Sequence, residues 1–476
     1  MPNKYDVIVV GMGPSSIFCA YELIKLNKFK KVLLIDQGKR VEERYCPIEK
    51  TKKCIHCKPM CNITNGFSGA GAFSDGKLSL YNPEDDEIHV GGNIHKIIGV
   101  PETKSLIDYT DKIYLDFGAD KHLEGTEYKE EIARINDRAH KEGIRLINIP
   151  IRHLGTEKSH EVYGRLEKYI EDNGVEMMFQ TTVADLIVEN GEIKGVRVKE
   201  AKYVDDEEHE TQEILADKVV LAVGRKGANW LVDMANKHNI ATETGIVDIG
   251  VRYELPDEIM KDVNKYMYEA KFTGRVGPFR DKVRTFCQNP SGFVSAEVYD
   301  NNLTLVNGHS YKERKSTNTN LAILVSHHFT SPFKRPIEYG RNVAQNLNDL
   351  GAGNIVVQRL GDIYRGKRTW DYELERNTVV PTLKSAVAGD ITFALGYRTM
   401  VSILEFIRAI DKIVEGFGAP DNLLYAPEIK FYSNKVVIDK QFETNIKGLY
   451  SIGDGGGMTR GLMMASCSGI QMARNL

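Results

Sequence analysis

Long hydrophobic runs are missing from this chain. Its 476 residues contain nothing close to a membrane span, which takes about 20 consecutive apolar residues. The N-terminus sets Asn3, Lys4 and Asp6 before a run of only Val7-Ile8-Val9-Val10, shorter than the roughly 7–15 apolar residues of a signal-peptide core. A soluble cytoplasmic protein is expected. Charge of one sign is scarce as well: 63 Lys and Arg face 66 Asp and Glu, for a formal net charge of -3. No basic field exists to hold nucleic acid or an anionic membrane, so a small-molecule partner is expected. Cysteine is sparse and uneven. Four of the seven cysteines fall between positions 46 and 61, unlike the spread of a secreted disulfide framework. Internal repeats and low-complexity segments are lacking too. At this length two domains are expected rather than one.

What is present begins with the apolar run Tyr5-Asp6-Val7-Ile8-Val9-Val10, which leads into Gly11-Met12-Gly13-Pro14-Ser15-Ser16. Ile17, Phe18, Ala20, Leu23 and Ile24 then recur at helical spacing, and Lys31-Val32-Leu33-Leu34-Ile35-Asp36 reads as a second buried strand. Strand, glycine turn, helix and strand together form the context a dinucleotide fingerprint requires. The first two glycines let backbone N–H groups approach a pyrophosphate at the positive end of the helix. Ser16 takes the third, helix-packing position. Twenty residues separate Ser16 from Asp36, the spacing of an acid that binds ribose hydroxyls and disfavours a 2′-phosphate. Close to the C-terminus stands Gly448-Leu449-Tyr450-Ser451-Ile452-Gly453-Asp454-Gly455-Gly456-Gly457. The pairing of the two ends points to FAD and redox chemistry.

Between them, Ser159 to Asp172 reads as an amphipathic helix and 175–179 as a strand. Asn190-Gly191 between alternating strands predicts a hairpin. Asp205-Asp206-Glu207-Glu208 reads as a solvated loop tip. Lys218 to Arg225 reads as another buried strand, ending at Gly224. From Asp248 the pattern changes to mixed strands and turns, followed by a helix from Met400 to Glu415. No second strand–GxGxxG–helix unit occurs in 151–245, where Ala222-Val223-Gly224-Arg225-Lys226-Gly227 comes closest. A nicotinamide donor, NAD(P)H, is therefore expected only as a transient visitor.

These pieces, with Gly66-Phe67-Ser68-Gly69-Ala70-Gly71-Ala72-Phe73-Ser74-Asp75-Gly76-Lys77-Leu78, Val306-Asn307-Gly308-His309-Ser310 and Asn318-Thr319-Asn320, resemble the glutathione-reductase-like flavoproteins with a single FAD site. More closely, they resemble the group of FAD-dependent dehydrogenases. The resemblance implies an α/β fold: a Rossmann-type FAD-binding domain with an inserted mixed α+β substrate domain. The FAD-binding domain would take 1–95, 150–247 and 436–476, with a Cys-rich insert at 46–61. The substrate or cap domain would take 248–435, and 96–149 would be a helical connection. By the same resemblance Gly11, Gly13, Pro14, Ser15 and Ser16 cradle the pyrophosphate, Asp36 holds the adenosine ribose, Val183 contacts the adenine through its backbone, and Gln37 and Lys77 also bind the cofactor. Gly224 passes close to the dinucleotide. Ser68, Gly69, Ala70, Gly71 and Ala72 run along the isoalloxazine. Asp454, Gly455, Gly456 and Met463 lie at the ribitol and beneath the flavin. A final helix from Leu462 to Arg474 would aim its positive end at the flavin N1–C2=O edge.

Cys46, Cys54, Cys57 and Cys61 form C-x7-C-x2-C-x3-C, a set able to hold Zn or an iron–sulfur cluster, or to serve as redox thiols. Their place between the ribose acid and the flavin strip allows a second expectation: an electron-transfer or redox-sensing flavoprotein with a protein partner. Cys287 and Cys467 read as buried packing thiols. For protons or substrate charge the candidates are His309, Arg252, Arg284, Glu428 and Lys430, single titratable residues of the substrate domain. The main expectation is an FAD-dependent oxidoreductase that moves a hydride between flavin and a small organic substrate.

Overall fold

The computed structural model describes residues 4–47, 57–71, 76–83, 85–243, 246–267, 269–298, 303–310, 314–330, 332–333, 335–431 and 435–476. The chain divides into two compact units. The first comprises Met1–Leu123, Pro150–Glu243 and Ser433–Leu476, and the second Glu124–Ile149 and Thr244–Tyr432. Among the described residues no helix is long and apolar enough to cross a membrane.

In the first unit the strand Lys4–Val10 pairs in parallel with Val32–Ile35 on one side and Gln212–Leu221 on the other. Val32–Ile35 pairs with Glu176–Met178, and Gln212–Leu221 pairs antiparallel with Glu192–Glu200, which forms a hairpin with Thr181–Glu189. Val7, Ile8, Val9, Leu33, Leu34, Val219 and Val220 are fully buried, as a parallel sheet covered on both faces demands. Asn190 and Gly191 take φ of 50° and 77° in the two-residue turn, the left-handed pair that the Asn-Gly signal specifies. Leu449–Ser451 adds in parallel to Gln212–Leu221, so the chain's two ends meet in one sheet.

The second unit is built on an eight-stranded sheet around Val247–Pro256, which runs antiparallel between Asn318–His327 and Leu423–Phe431. Alternation gives this strand two different faces. Val247, Ile249, Val251, Tyr253 and Leu255 join the apolar core with Ile403, Phe406 and Ile407 of the helix Tyr397–Asp411. Asp248, Arg252 and Glu254 point the other way and are also buried. Over that polar face lies the hairpin Phe293–Val298/Thr304–His309, which delivers Asn307 to Arg252.

Three sequence expectations need correction. The segment 96–149 is shared rather than a helical connection: it breaks at Leu123, and Ile144–Ile147 forms a strand beside Lys271–Gly274. The apolar residues there are too few to show a helical period, and only the distant partner strand makes them β. The late helix spans Tyr397–Asp411, because Gly396 at φ 74° starts it early. Cys287 is half-buried rather than buried, at a bulge between Phe286 and Asn289 with φ 49°.

Candidate functional site

From the central strand Lys4–Val10 the sheet continues in opposite directions to Val32–Ile35 and Gln212–Leu221, which creates a crevice beyond its C-terminal end. Open α/β sheets bind ligands at such a reversal. Gly11 takes φ +100°, and a Cβ on it would stand 2.5 Å from the Ala222 carbonyl oxygen, so only glycine lets the turn pass. Gly13 has ordinary φ, and a Cβ there would meet nothing within 4 Å. Pro14 begins the helix Pro14–Leu26, whose first turn carries neither an acid nor a side-chain cap. Its free amides therefore face open space, the arrangement that suits an anion.

Two buried hydroxyls near this turn, Ser16 Oγ and Ser451 Oγ, have no hydrogen-bond partner, the state of groups awaiting a ligand or water. Close approach between Pro14–Leu26 and Leu462–Asn475 depends on Gly469, where a Cβ would stand 2.0 Å from the Ser15 carbonyl oxygen. These features fit a dinucleotide: open space at Gly13, unmade helix amides and orphaned buried hydroxyls.

Asp36 organises the adjoining loops. Its Oδ2 accepts the Met12 N–H at 2.9 Å, and its Oδ1 accepts those of Gly38 and Gly66 at 2.7 Å each. A carboxylate offers about four lone-pair sites, so acceptor capacity remains. Gln37 Nε2 donates to Asn65 Oδ1 at 2.5 Å and ties the same loop. Val183 is buried in Thr181–Glu189.

Arg44 was not legible as a site residue. Only 3% exposed, its guanidinium donates to the carbonyls of Asn62 (2.8 Å), Ile63 (2.7 Å), Phe67 and Gly69 (2.6 Å), and to Ser68 Oγ (2.9 Å). Burial pulls its pKa down to about 10 against the attraction of Asp36 and Cys61. Ser68, held by this clamp, takes φ 77° and donates its N–H to the Met12 carbonyl at 2.8 Å. The glycine strip is thus moulded against the fingerprint turn. No periodicity or motif around Arg44 signals this, since the clamp consists of backbone carbonyls. Gly71 packs against Tyr163, 3.1 Å from the phenol oxygen were a Cβ present. Lys77 opens the short strand Lys77–Ser79, opposite His153. Ala72 lies outside the described residues.

At the C-terminal segment, Thr459 Oγ1 donates to Asp454 Oδ1 at 2.8 Å and the Gly461 N–H to Oδ2 at 3.3 Å. Burial raises the Asp454 pKa, opposed chiefly by Arg225. Gly455 sits on Gly224, where a Cβ would come within 2.5 Å of its carbonyl oxygen, and Ser451 Oγ would lie 2.3 Å from a Cβ on Gly456. Leu462–Asn475 starts at Gly461 (φ 87°), again with no acid in its first turn, and Met463 is buried. Cys467 is buried, with its Sγ 3.3 Å from Thr110 Oγ1.

Of the cysteine cluster, Cys46 and Cys57 are half-buried and Cys61 is exposed, while Cys54 lies outside the described residues. Among the described residues no three His, Cys, Asp or Glu are grouped to hold a metal.

The second unit brings three of its candidates together and leaves two apart. Arg252 Nε and Nη2 donate to Glu428 Oε2 and Oε1, both at 2.7 Å, with both side chains fully buried. Lys430 Nζ stands 3.0 Å from Glu428 Oε1. Burial pushes the Glu428 pKa up, but Arg252 and then Lys430 outweigh it and hold the carboxylate below its ordinary range. Arg284 instead pairs with Asp248 at 2.6 Å. His309 is exposed at the end of its hairpin strand, opposite Phe293.

The architecture and the cradle define a flavoprotein: a discontinuous FAD-binding α/β unit accompanied by a second, sheet-based unit. Sequence comparison agrees, since residues 137–247 match the FAD binding domain model and residues 247–430 match that of the FAD-dependent protein, C-terminal domain-like. The chain is an FAD-dependent oxidoreductase. It is 24% identical over 496 aligned residues to a Clostridium beijerinckii protein bearing the name uncharacterized protein, covering 99% of this chain and 81% of that one. Among solved structures it is similar to E. coli quinol fumarate reductase FrdA, with 13% identity, a TM-score of 0.39 and coverage of 99% and 69% of the two chains. It is also similar to L-proline dehydrogenase from P. horikoshii, with 10% identity, a TM-score of 0.37 and coverage of 100% and 93%.

Proposed function

We propose that this oxidoreductase moves a hydride between its flavin and a small organic substrate. FAD, when bound, supplies a reversible two-electron acceptor at flavin N5. On this reading the amides after Gly13 with Ser15 and Ser16 hold the pyrophosphate, Asp36 takes the adenosine ribose, and Asp454 with the start of Leu462–Asn475 holds the ribitol side. Arg44 keeps Ser68 to Gly71 in shape to lie along the ring.

The observation that carries the substrate half of the reading is the buried polar face of the second unit's sheet. A face that only needed to pack would be apolar, since burying charges is costly unless they are paired. Here Arg252, Glu428 and Lys430 are gathered on adjacent strands, which suits recognition of a small polar molecule. The test is anaerobic: purified holoprotein is mixed with a panel of C–H and C–N donors, and separately, after photoreduction, with activated alkenes. Flavin absorbance near about 450 nm should bleach or recover with one chemical class, and deuteration of the reacting C–H should slow it. Reduction by a ferredoxin alone, with no small molecule active, would refute the proposal.

That outcome is what the second reading, electron transfer through the cysteine cluster, expects. It is favoured by Arg44, which bonds the carbonyls of Asn62 and Ile63, just after Cys61, and those of Phe67 and Gly69 in the glycine strip. Iron and acid-labile sulfide analysis of anaerobically purified protein tests it. Zinc alone, or no metal, removes the electron-relay role.

A further inference from the structure

Around Glu428 the charges do not balance. Arg252 is saturated: besides its two bonds to Glu428, Nη2 donates to Asn307 Oδ1 at 3.0 Å, and Nη1 donates to the Cys287 carbonyl at 2.8 Å and to Asn320 Oδ1 at 3.4 Å. Both Glu428 oxygens are taken by Arg252, and Oε1 also faces Lys430. One carboxylate thus serves two cations. Asp248, opposite Lys430 in the register, accepts from Arg284 Nη2 through Oδ2 at 2.6 Å. Glu297, which accepts the Asn307 Nδ2–H at 2.7 Å, is exposed and screened by solvent. Glu254, buried on the same face, accepts from Asn318, Thr382 and Tyr425 rather than from a cation, so the surplus beside Glu428 rests on Lys430.

Lys430 contrasts with its neighbours. Arg252 and Glu428 are sealed at 0% exposure, whereas the Lys430 side chain keeps 18%. Of its three N–H donors the Glu428 ion pair occupies one. Beyond Arg252 the space is closed at Gly308, where a Cβ would fall 2.7 Å from Arg252 Nη1 and 2.2 Å from Asn320 Oδ1. Half-buried Cys287 joins the same cluster, its carbonyl accepting from Arg252 Nη1 at 2.8 Å. The cluster therefore reaches solvent at Lys430 and at half-buried Cys287.

We propose that Lys430 is the seat of a substrate carboxylate, held in place by the Arg252–Glu428 pair, and that the enzyme's substrates are small carboxylic acids. One surplus positive charge on a single ammonium matches one carboxylate. A phosphate dianion would leave a negative charge uncompensated, and Arg252 has no free fork to receive it. A buried surplus cation is costly by itself, and a bound carboxylate removes that cost while using the ammonium's unmade donors. This inference rests on the reading that the second unit supplies the substrate side.

Cys287 provides the test. Its sulfur displaces iodide from either iodoacetate, an anion, or iodoacetamide, its neutral analogue, forming a C–S bond with release of iodide and a proton. Holoprotein is treated with each reagent beside glutathione as the in-tube reference, and Cys287 labelling is followed by peptide mass spectrometry. The iodoacetate-to-iodoacetamide rate ratio at Cys287 should exceed that of glutathione by about tenfold, as an adjacent unscreened cation requires. Lys430→Gln should bring the ratio down to that of glutathione, Lys430→Arg should retain it, and succinate should slow labelling in the unmodified protein but not in Lys430→Gln. A ratio equal to that of glutathione in the unmodified protein, a ratio unmoved by Lys430→Gln, or a Cys287 inert to both reagents overturns the proposal. Flavin absorbance is recorded on the same samples: an unenhanced ratio with normal substrate-dependent bleaching defeats this inference alone, and an enhanced ratio without such bleaching defeats the hydride-transfer reading alone.

Discussion

Replacing Glu428 by Gln should destabilise the second unit by about 4 kcal/mol, because breaking a buried ion pair from one side costs roughly 3–5 kcal/mol. The carboxylate lost is fully buried and faces Arg252 twice at 2.7 Å and Lys430 at 3.0 Å. Gln matches its shape but not its charge, and leaves two cations in the sheet with no anion between them. The assay is urea unfolding followed by Trp370 fluorescence in a Trp230→Phe background, since each unit holds one of the chain's 2 tryptophans. With a slope of about 2 kcal/mol per M, the midpoint should fall by about 2 M. The double variant Arg252→Met with Glu428→Leu leaves only Lys430 without its anion and should recover part of the loss. A pH series fixes the sign. The folded-state pKa of Glu428 is depressed, so its contribution is present above the ordinary value of about 4.3 and is lost as pH falls through the folded value. The gap between the original protein and Glu428→Gln should therefore be full at neutral pH and close in acid. A loss below about 1 kcal/mol at neutral pH, or a double variant less stable than the single one, would refute the account of the pair.

Three further outcomes are expected. Gly13→Ala should leave the melting temperature of the flavin-free protein unchanged, since the new methyl meets no protein atom within 4 Å, while weakening FAD binding at least about tenfold, or 1.4 kcal/mol; flavin titration by fluorescence quenching checks both halves. Asp454→Ala should raise the FAD dissociation constant by about 10- to 100-fold, the range for hydrogen bonds to a charged group, and stoichiometric flavin of normal affinity after gel filtration would remove Asp454 from the site. Arg44→Met should strip the donors from four carbonyls and Ser68 Oγ, costing about 3 kcal/mol or more and exposing 57–71 to limited proteolysis; Arg44→Lys should not rescue it, because a single ammonium cannot span the planar fork's partners.

Much of the first unit was legible. The fingerprint turn, the Asn190-Gly191 hairpin and the apolar parallel strands are local codes, in which a glycine, a turn pair or a run of valines states its own conformation. The second unit was legible only as single residues. Arg252, Glu428 and Lys430 stand on strands whose alternation gives a face but not a partner, so the sequence offered them beside His309 and Arg284 with nothing to separate the two groups. The register of Val247–Pro256 against Leu423–Phe431 separates them, bringing Gly250 opposite Glu428 and Asp248 opposite Lys430.

By itself, then, the sequence determined the class of cofactor, because FAD recognition is written in backbone-level features that glycine, helix start and acid spacing encode locally. Only the tertiary structure decided what holds the glycine strip and where the unbalanced charge lies. Both depend on contacts between residues far apart in the chain: Arg44 bonds carbonyls that any sequence would supply, and Lys430 becomes the surplus cation only once Arg252 has claimed Glu428 from 176 residues away.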